Sequence, residues 1–333
     1  MVLVTGATGI LGRVIVLDLL KQGKTVRATK RPSSNVEEVR KSFTFYTEQP
    51  DYYFDKIEWV DCDFEDIHSL EAAVKGISEV YHCAAKVSFH PKDKEEMYQT
   101  NIEGTKQLLY ACQNSSVTKF CFISSIAVLD GVNDVGEMDE NSDFNSKLEH
   151  SAYAKSKHFA EMEVWRASAE GLKVVIVNPG VIIGSGNWNA SSGALFKKLQ
   201  KTPFSFSGST SYVDVRDVSA CAIQLMEENV FDQRFILVSE SKKISEVANF
   251  VRKNTGLTAV NVVSNSILKF GVFLNAILGW AVPVFRLMNK VNIQALTSDH
   301  KISNKKIINQ LDFQFIPVME SLKFHLNNYT KKS

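Results

Sequence analysis

The first twenty residues restrict the fold more than any other stretch. Met1-Val-Leu-Val-Thr5 is a short β-branched run, Thr5-Gly6-Ala7-Thr8-Gly9-Ile10-Leu11-Gly12 is a glycine-rich turn, and Arg13 to Leu20 has helical character. Strand, glycine turn and helix in that order make the phosphate-binding opening of a dinucleotide fold. Side chains in the turn would keep the backbone away from a pyrophosphate, and Gly12 lets the helix pack against its strand. The helix N-terminus then offers free N–H groups and a partial positive charge. Thr5, Gly6, Thr8, Gly9, Ile10 and Gly12 are the candidate contacts of this turn. The glycines stand three residues apart, unlike the Gly-x-Gly-x-x-Gly of the simplest fingerprint.

Strands and helices alternate from there. Lys24 to Thr29 reads as the second strand, whose tip meets the adenosine ribose in such folds. That tip carries Lys30-Arg31-Pro-Ser-Ser and no acidic residue before Glu37. Two cations suit a 2′-phosphate, so NADP is expected as cofactor, with NAD left open. Residues 36–55 read as a helix and a loop. Ile57 to Phe64 is a strand whose end, Asp63-Phe64, lies where the adenine edge would sit. After a helix over Ile67–Lys75, Glu79 to Ala85 is the fourth strand, and the small Ala84 and Ala85 leave room for a ligand. His82 reads as a packed strand residue. A long helix over Lys94–Asn114, a strand over Lys119–Ser125, a helix over Ala152–Glu170 and a strand over Lys173–Gly180 follow. The pattern predicts an α/β fold with a doubly wound parallel sheet of Rossmann type. Residues 1–180 form the cofactor domain in this reading. Residues 181–333 form a smaller, mostly helical substrate lobe whose segments, Phe235–Ser239 among them, return in part to the sheet.

Composition narrows the class. A formal net charge of +1 gives no electrostatic case for nucleic acid or an anionic membrane. Five cysteines, most of them in apolar runs, suit reduced thiols in a cytoplasmic protein, and no cluster suggests a metal. The N-terminus leads straight into a strand, so no signal peptide is expected. Phe270 to Phe285 carries no charge, but its sixteen residues fall short of the roughly twenty that a spanning helix needs. A buried amphipathic helix is expected there, without membrane contact. A small-molecule substrate is the expected partner, and a homodimer is left open.

Tyr153-Ala-Lys-Ser-Lys157 brings in the chemistry. Four residues apart on a helix, Tyr153 and Lys157 share a face. A phenol with a reference pKa of about 10 is a poor acid or base at neutral pH. A neighbouring ammonium is expected to lower it, and Lys157 can also reach the cofactor ribose. Ser125 places a hydroxyl at a strand C-terminus, where open α/β sheets bind ligands.

Thr5 to Gly12, Asp63, His82-Cys-Ala-Ala85, Asn101-Ile-Glu-Gly-Thr105, Ser124-Ser125, Tyr153-x-x-x-Lys157 and Tyr212 to Val218 together resemble an extended short-chain dehydrogenase/reductase. The resemblance runs over nearly the whole chain. It implies Ser125, Tyr153 and Lys157 as a catalytic triad, with Tyr153 the proton donor or acceptor. It also implies Gly6, Gly9 and Gly12 at the pyrophosphate, Asp63 and Phe64 at the adenine, Ala84 and Lys157 near the nicotinamide ribose, and Pro179 beside the carboxamide. Thr25 to Pro32 is similar to the dihydroflavonol-4-reductase branch, which reduces a ketone with NADP, and Ser124 to Val128 to the 3β-hydroxysteroid dehydrogenase branch. Sugar-nucleotide epimerases carry Val-Tyr-Gly after the serine, and dehydratases an Asp-Glu pair. Val128-Leu-Asp-Gly131 and Ile126-Ala127 depart from both. The implied activity is NADP-dependent reduction of a ketone or aldehyde, or oxidation of the alcohol, of a hydrophobic small molecule. Trp188, Leu195, Phe196, Phe204, Phe206 and the apolar helix from Phe270 to Phe285 are expected at its cleft, with packing of the lobe core as the alternative for the aromatics. A nucleotide-sugar epimerase/dehydratase and a non-catalytic NADP-binding sensor are the alternatives.

Overall fold

The computed structural model describes residues 1–189, 191–278 and 288–331. Twelve strands occur among them: β1 (Val2–Thr5), β2 (Val26–Lys30), β3 (Glu58–Asp61), β4 (Glu79–His82), β5 (Lys119–Ile123), β6 (Lys173–Pro179), β7 (Val181–Ile183), β8 (Phe204–Ser205), β9 (Ser209–Asp214), β10 (Gln233–Leu237), β11 (Glu240–Lys243) and β12 (Asn261–Val262). The α-helices are α1 (Gly12–Lys21), α2 (Glu37–Phe43), α3 (Pro50–Phe54), α4 (Ile67–Val74), α5 (Lys94–Tyr98), α6 (Gly104–Gln113), α7 (Ala152–Ala169), α8 (Leu195–Lys201), α9 (Val215–Glu227), α10 (Ile244–Asn254), α11 (Asn265–Leu278), α12 (Lys290–Thr297), α13 (Lys305–Leu311) and α14 (Val318–Lys331).

Seven strands form one parallel sheet in the order β10-β6-β5-β4-β1-β2-β3. Its central strands are apolar runs because both faces are covered, as parallel sheets require. One face packs on Val14, Leu17, Val218 and Leu225 of α1 and α9. The other packs on Leu70, Leu108 and Val164 of α4, α6 and α7. Successive crossovers run outward in opposite directions from β1 and β4, so the sheet reverses between them and opens a crevice at the strands' C-terminal ends. The chain after β6 builds a three-stranded sheet, β11-β9-β7, and a core around Trp188, Phe196, Tyr212 and Leu322, then returns β10 to the edge of the large sheet.

Three segments differ from expectation. Residues 36–55 hold two helices, because Pro50 starts α3 and Phe54 is buried against Phe43. The helix over 94–114 is broken by a π-helical turn, Gln99–Glu103, which carries Asn101. Helix α11 buries Leu268 and Gly271, but the face expected inside is turned out: Phe270 and Phe273, with Ile267, face outward. The rest of that expected helix, 279–285, lies outside the described residues.

Candidate active site

Thr5, His82 and Ile123 close β1, β4 and β5 at the same edge of the sheet. The glycine turn leaves β1 there. Gly6 takes a left-handed φ of 64°, and a Cβ on it would lie 2.6 Å from the backbone nitrogen of Ala84. A Cβ on Gly12 would lie 2.3 Å from the carbonyl oxygen of Gly6, and one on Gly9 would lie 3.0 Å from it. The turn is thus wound on itself more tightly than any side chain permits. No side chain caps α1, and its first turn holds no acid, so the helix end is available to an anion. That bare backbone cradle fits a dinucleotide pyrophosphate.

Thr5 and Arg13 brace the cradle from behind. Thr5 is fully buried, and its hydroxyl bonds His82 Nδ1 (2.7 Å) and accepts from the Ala84 N–H (3.3 Å), so it supports the loop from beneath. Burial pushes His82 down to about 3, and Thr105 holds its other nitrogen at 2.9 Å, which makes it a neutral strut. Sequence reasoning missed Arg13. Its buried guanidinium donates to the carbonyls of Gly9, Thr8 and Glu38. Thr8 is half-buried, and Ile10 is buried. A helical cation inside an apolar stretch was the available signal.

The expected ribose and adenine contacts divide unevenly. Lys30 donates to Asp61 at 2.5 Å across the β2–β3 pair, which neutralises it. Arg31 is exposed, and its guanidinium has no ion pair among the described residues. Asp63 is exposed and accepts from the Glu65 N–H, whereas the Phe64 ring turns inward, stacked on His82 with centroids 5.7 Å apart. Only the backbone of Phe64 is left to face the crevice rim. Ala84 is half-buried and Ala85 exposed, and Pro179 is buried at the end of β6.

Ser125, Tyr153 and Lys157 come together at the end of β5. Ser151 caps α7 by accepting from the Ala154 N–H, which starts the helix so that Tyr153 lies in its first turn. The Tyr153 phenol lies beside the Ser125 side chain, which favours its ionised form. Lys157 is buried, donates to the Ile123 carbonyl at 2.6 Å and sits 4.2 Å from the centre of the Phe122 ring. Burial pushes its ammonium down to about 8, opposed by Glu161 and Cys83. The phenol departs from the sequence expectation. Desolvation raises Tyr153 above its ordinary value, opposed by the neighbouring Ser125 hydroxyl, so the phenol is neutral at neutral pH. The Phe89 ring stands edge-on to Tyr153 with centroids 6.0 Å apart and is 58% exposed.

Glu161, a second residue missed in the sequence, organises the back of this group. Its carboxylate, 3% exposed, accepts from Ser124 Oγ (2.6 Å), Asn178 Nδ2 (3.2 Å) and Arg234 Nη1 (3.3 Å). Asn178 also donates to the Ser125 carbonyl at 3.1 Å. On the other side of α7, Asn101 bonds Ser156 Oγ and both backbone groups of Lys86, which ties the segment after β4 to that helix. Spacing alone hinted at Glu161, which repeats the Tyr153–Lys157 interval.

Among the residues expected at a substrate cleft, Trp188 and Phe196 instead pack the core of the C-terminal lobe, against each other and Tyr329. Leu195 packs at the margin of that core, Phe206 is half-buried, and Phe204 is 48% exposed.

Known proteins share this architecture. Sterol demethylase protein B of Methylococcus capsulatus is 27% identical over 263 residues, covering 76% of this chain and 74% of that protein. The bifunctional dihydroflavonol 4-reductase/flavanone 4-reductase of Malus domestica is 27% identical over 267 residues, 76% of this chain and 75% of that one. The crystal structure of gox2253 superposes with a TM-score of 0.83 at 22% identity, over 100% of this chain and 98% of that chain, which speaks to the fold alone. A family model described as NAD dependent epimerase/dehydratase matches residues 2–235, the whole span from the first strand to the returning β10. With that match laid over the glycine cradle and the residues at the end of β5, this chain belongs to the NAD dependent epimerase/dehydratase family.

Proposed function

We propose that the protein is an NADP-dependent reductase that converts a ketone or aldehyde of a hydrophobic small molecule to its alcohol, or runs the reverse oxidation. The observation that carries this reading is the Tyr153 phenol, neutral at neutral pH, beside Ser125 and one helical turn from the Lys157 ammonium. Gly6, Gly9, Gly12 and the open end of α1 would hold the pyrophosphate, and Arg31 the 2′-phosphate. A bound nicotinamide would supply or accept the hydride. Tyr153, protonated at neutral pH, holds the proton that the carbonyl oxygen needs in the reductive direction. Ser125, beside the phenol, can donate a hydrogen bond to the same oxygen. Lys157 holds positive charge beneath them as the proton leaves.

The exposed Phe89 ring against Tyr153 supports an apolar substrate, because it offers apolar surface where the reacting group must sit. The cations that a nucleoside diphosphate would need are partly committed. Arg216 is bound bidentately by Asp214 and lies 4.2 Å from the centre of the Phe324 ring, and Lys197 donates to Asn189. The two relatives named for sterol and dihydroflavonol chemistry agree with this preference.

Tyr153→Phe tests the reading. Against a panel of aromatic and alicyclic ketones, loss of reduced-nicotinamide absorbance should slow by about 10²–10⁴-fold, the usual value of a positioned general acid. The NADPH dissociation constant should stay within about twofold, since the phenol proton serves only the chemical step. Near-normal turnover in the variant would exclude Tyr153 as the donor. Tight NADPH binding by the wild type with no turnover of any carbonyl would favour a sensor.

A further inference from the structure

We propose that the outward face of α11 docks the protein on an anionic lipid surface, lying in the headgroup region without crossing it. The helix has two unlike sides. Leu268 is 1% exposed, and Gly271 is buried so closely that a Cβ on it would meet the Met288 side chain at 2.7 Å. On the outward side, Ile267, Phe270 and Phe273 follow one another at three-residue spacing and so share a face. They are 60%, 59% and 57% exposed, and the two phenyl rings stack at 6.3 Å. Nothing among the described residues covers this apolar patch, and such patches mark interaction surfaces.

The charge pattern selects the partner. No Asp or Glu occurs between Glu246 and Asp299, whereas the same stretch carries Arg252, Lys253, Lys269, Arg286 and Lys290. The whole chain is balanced at +1, so this segment is a local basic exception. Arg252 is buried and bonded to the carbonyls of Thr258 and Gln200, but Lys253, Lys269 and Lys290 are exposed. An exposed apolar helix face in a segment that carries cations and no acids matches acyl chains beneath anionic headgroups. A second copy of the chain would also cover the phenyl rings, but a two-fold contact would bring two cation-bearing segments together with no acid in either to offset them. The uncharged run from Phe270 to Phe285 is sixteen residues against the roughly twenty needed to span. No helix among the described residues is long and apolar enough to cross a membrane.

Cosedimentation of the full chain with vesicles tests this, using phosphatidylcholine alone and phosphatidylcholine mixed with phosphatidylglycerol. The wild type should sediment with the mixed vesicles and much less with the neutral ones. Salt near 1 M should release it, because the screening length falls to about 3 Å. Phe270→Ser combined with Phe273→Ser should lower binding at least about tenfold, since two phenyl rings no longer leave water. Lys269→Glu should lower it several-fold on mixed vesicles only. An unchanged near-ultraviolet circular dichroism spectrum and Tm serve as fold controls for each variant. Absence of wild-type binding, or equal binding by the double variant, overturns the proposal. A dimer in sedimentation velocity that the double substitution dissociates, without vesicle binding by either protein, would assign the face to a second copy instead.

Discussion

Replacing Glu161 by Gln separates the electrostatic from the structural work done behind Ser125, Tyr153 and Lys157. The side chain keeps its shape but loses its charge, and one acceptor oxygen becomes a donor facing Asn178, Ser124 or Arg234. Hydrogen bonds to a charged group contribute about 1.5–3 kcal/mol and neutral ones about 0.5–1.5, so each weakened bond costs about 1 kcal/mol. With three partners, the unfolding free energy should fall by about 2–3 kcal/mol. The second effect is on Lys157, one helical turn away. Glu161 holds the ammonium's pKa up against burial, which has brought it to about 8. Two charges about 6 Å apart at an effective dielectric constant near 20 interact by about 2–3 kcal/mol, an upper value. A realised loss of about 1.4 kcal/mol is one pKa unit. The sign follows from the charge: without the carboxylate, Lys157 releases its proton at lower pH. An anionic dinucleotide then loses its cation earlier as pH rises. NADPH fluorescence titrations between about pH 6 and pH 10 should show affinity falling with pH in both proteins, with the midpoint about one unit more acidic in Glu161→Gln. Urea unfolding gives the stability change separately. A lowered urea midpoint with an unmoved pH midpoint would refute the coupling and leave Glu161 a purely structural anchor.

Gly12→Ala should raise the NADPH dissociation constant by about 100-fold or more and cost about 1–3 kcal/mol, because its Cβ meets backbone that cannot swing aside. Gly9→Ala, with a single 3.0 Å contact, should cost less, and equal losses in calorimetry would contradict the cradle geometry. Arg31→Ala should remove most of a preference for NADPH over NADH of about ten- to a hundred-fold, worth about 1.4–2.8 kcal/mol. Lys30→Ala should change it little, since Asp61 already holds that cation, and the ratio of the two dissociation constants decides. Asp217 is buried, and desolvation raises its carboxyl to about 7. A pKa raised above the unfolded value means that its stabilising protonated form is lost as pH climbs from about 4 through 7. Asp217→Asn, which can still accept from the Ile316 N–H, should therefore be about 1–3 kcal/mol more stable than the wild type at pH 8 and nearly equal at pH 4. Urea titrations at both pH values check it.

Much of this was readable along the chain because the determinants are local. The glycine cradle, the Tyr153–Lys157 interval and the alternation of strands with helices each depend on neighbours within a few residues. Backbone geometry converts such spacing directly into a shared face or a tight turn. Ser125 was readable for the same reason, as a hydroxyl at the end of an apolar run.

What the fold alone decided are the consequences of burial and of partners distant in sequence. The phenol of Tyr153 is raised, not lowered, because desolvation outweighs any help from its neighbours, and desolvation depends on everything packed around it. Lys30 and Arg31 look equivalent as a pair of cations, yet strand pairing sets Asp61 against the first and leaves the second open. Arg13 and Glu161 carry no motif of their own; the one matters because carbonyls of the turn surround it, the other because Ser124, Asn178 and Arg234 converge on it. Trp188 and Phe270 are both large apolar residues in one lobe, and only packing sent the first into a core and the second into solvent. Periodicity tells which residues share a face; it takes the assembled chain to tell what that face meets.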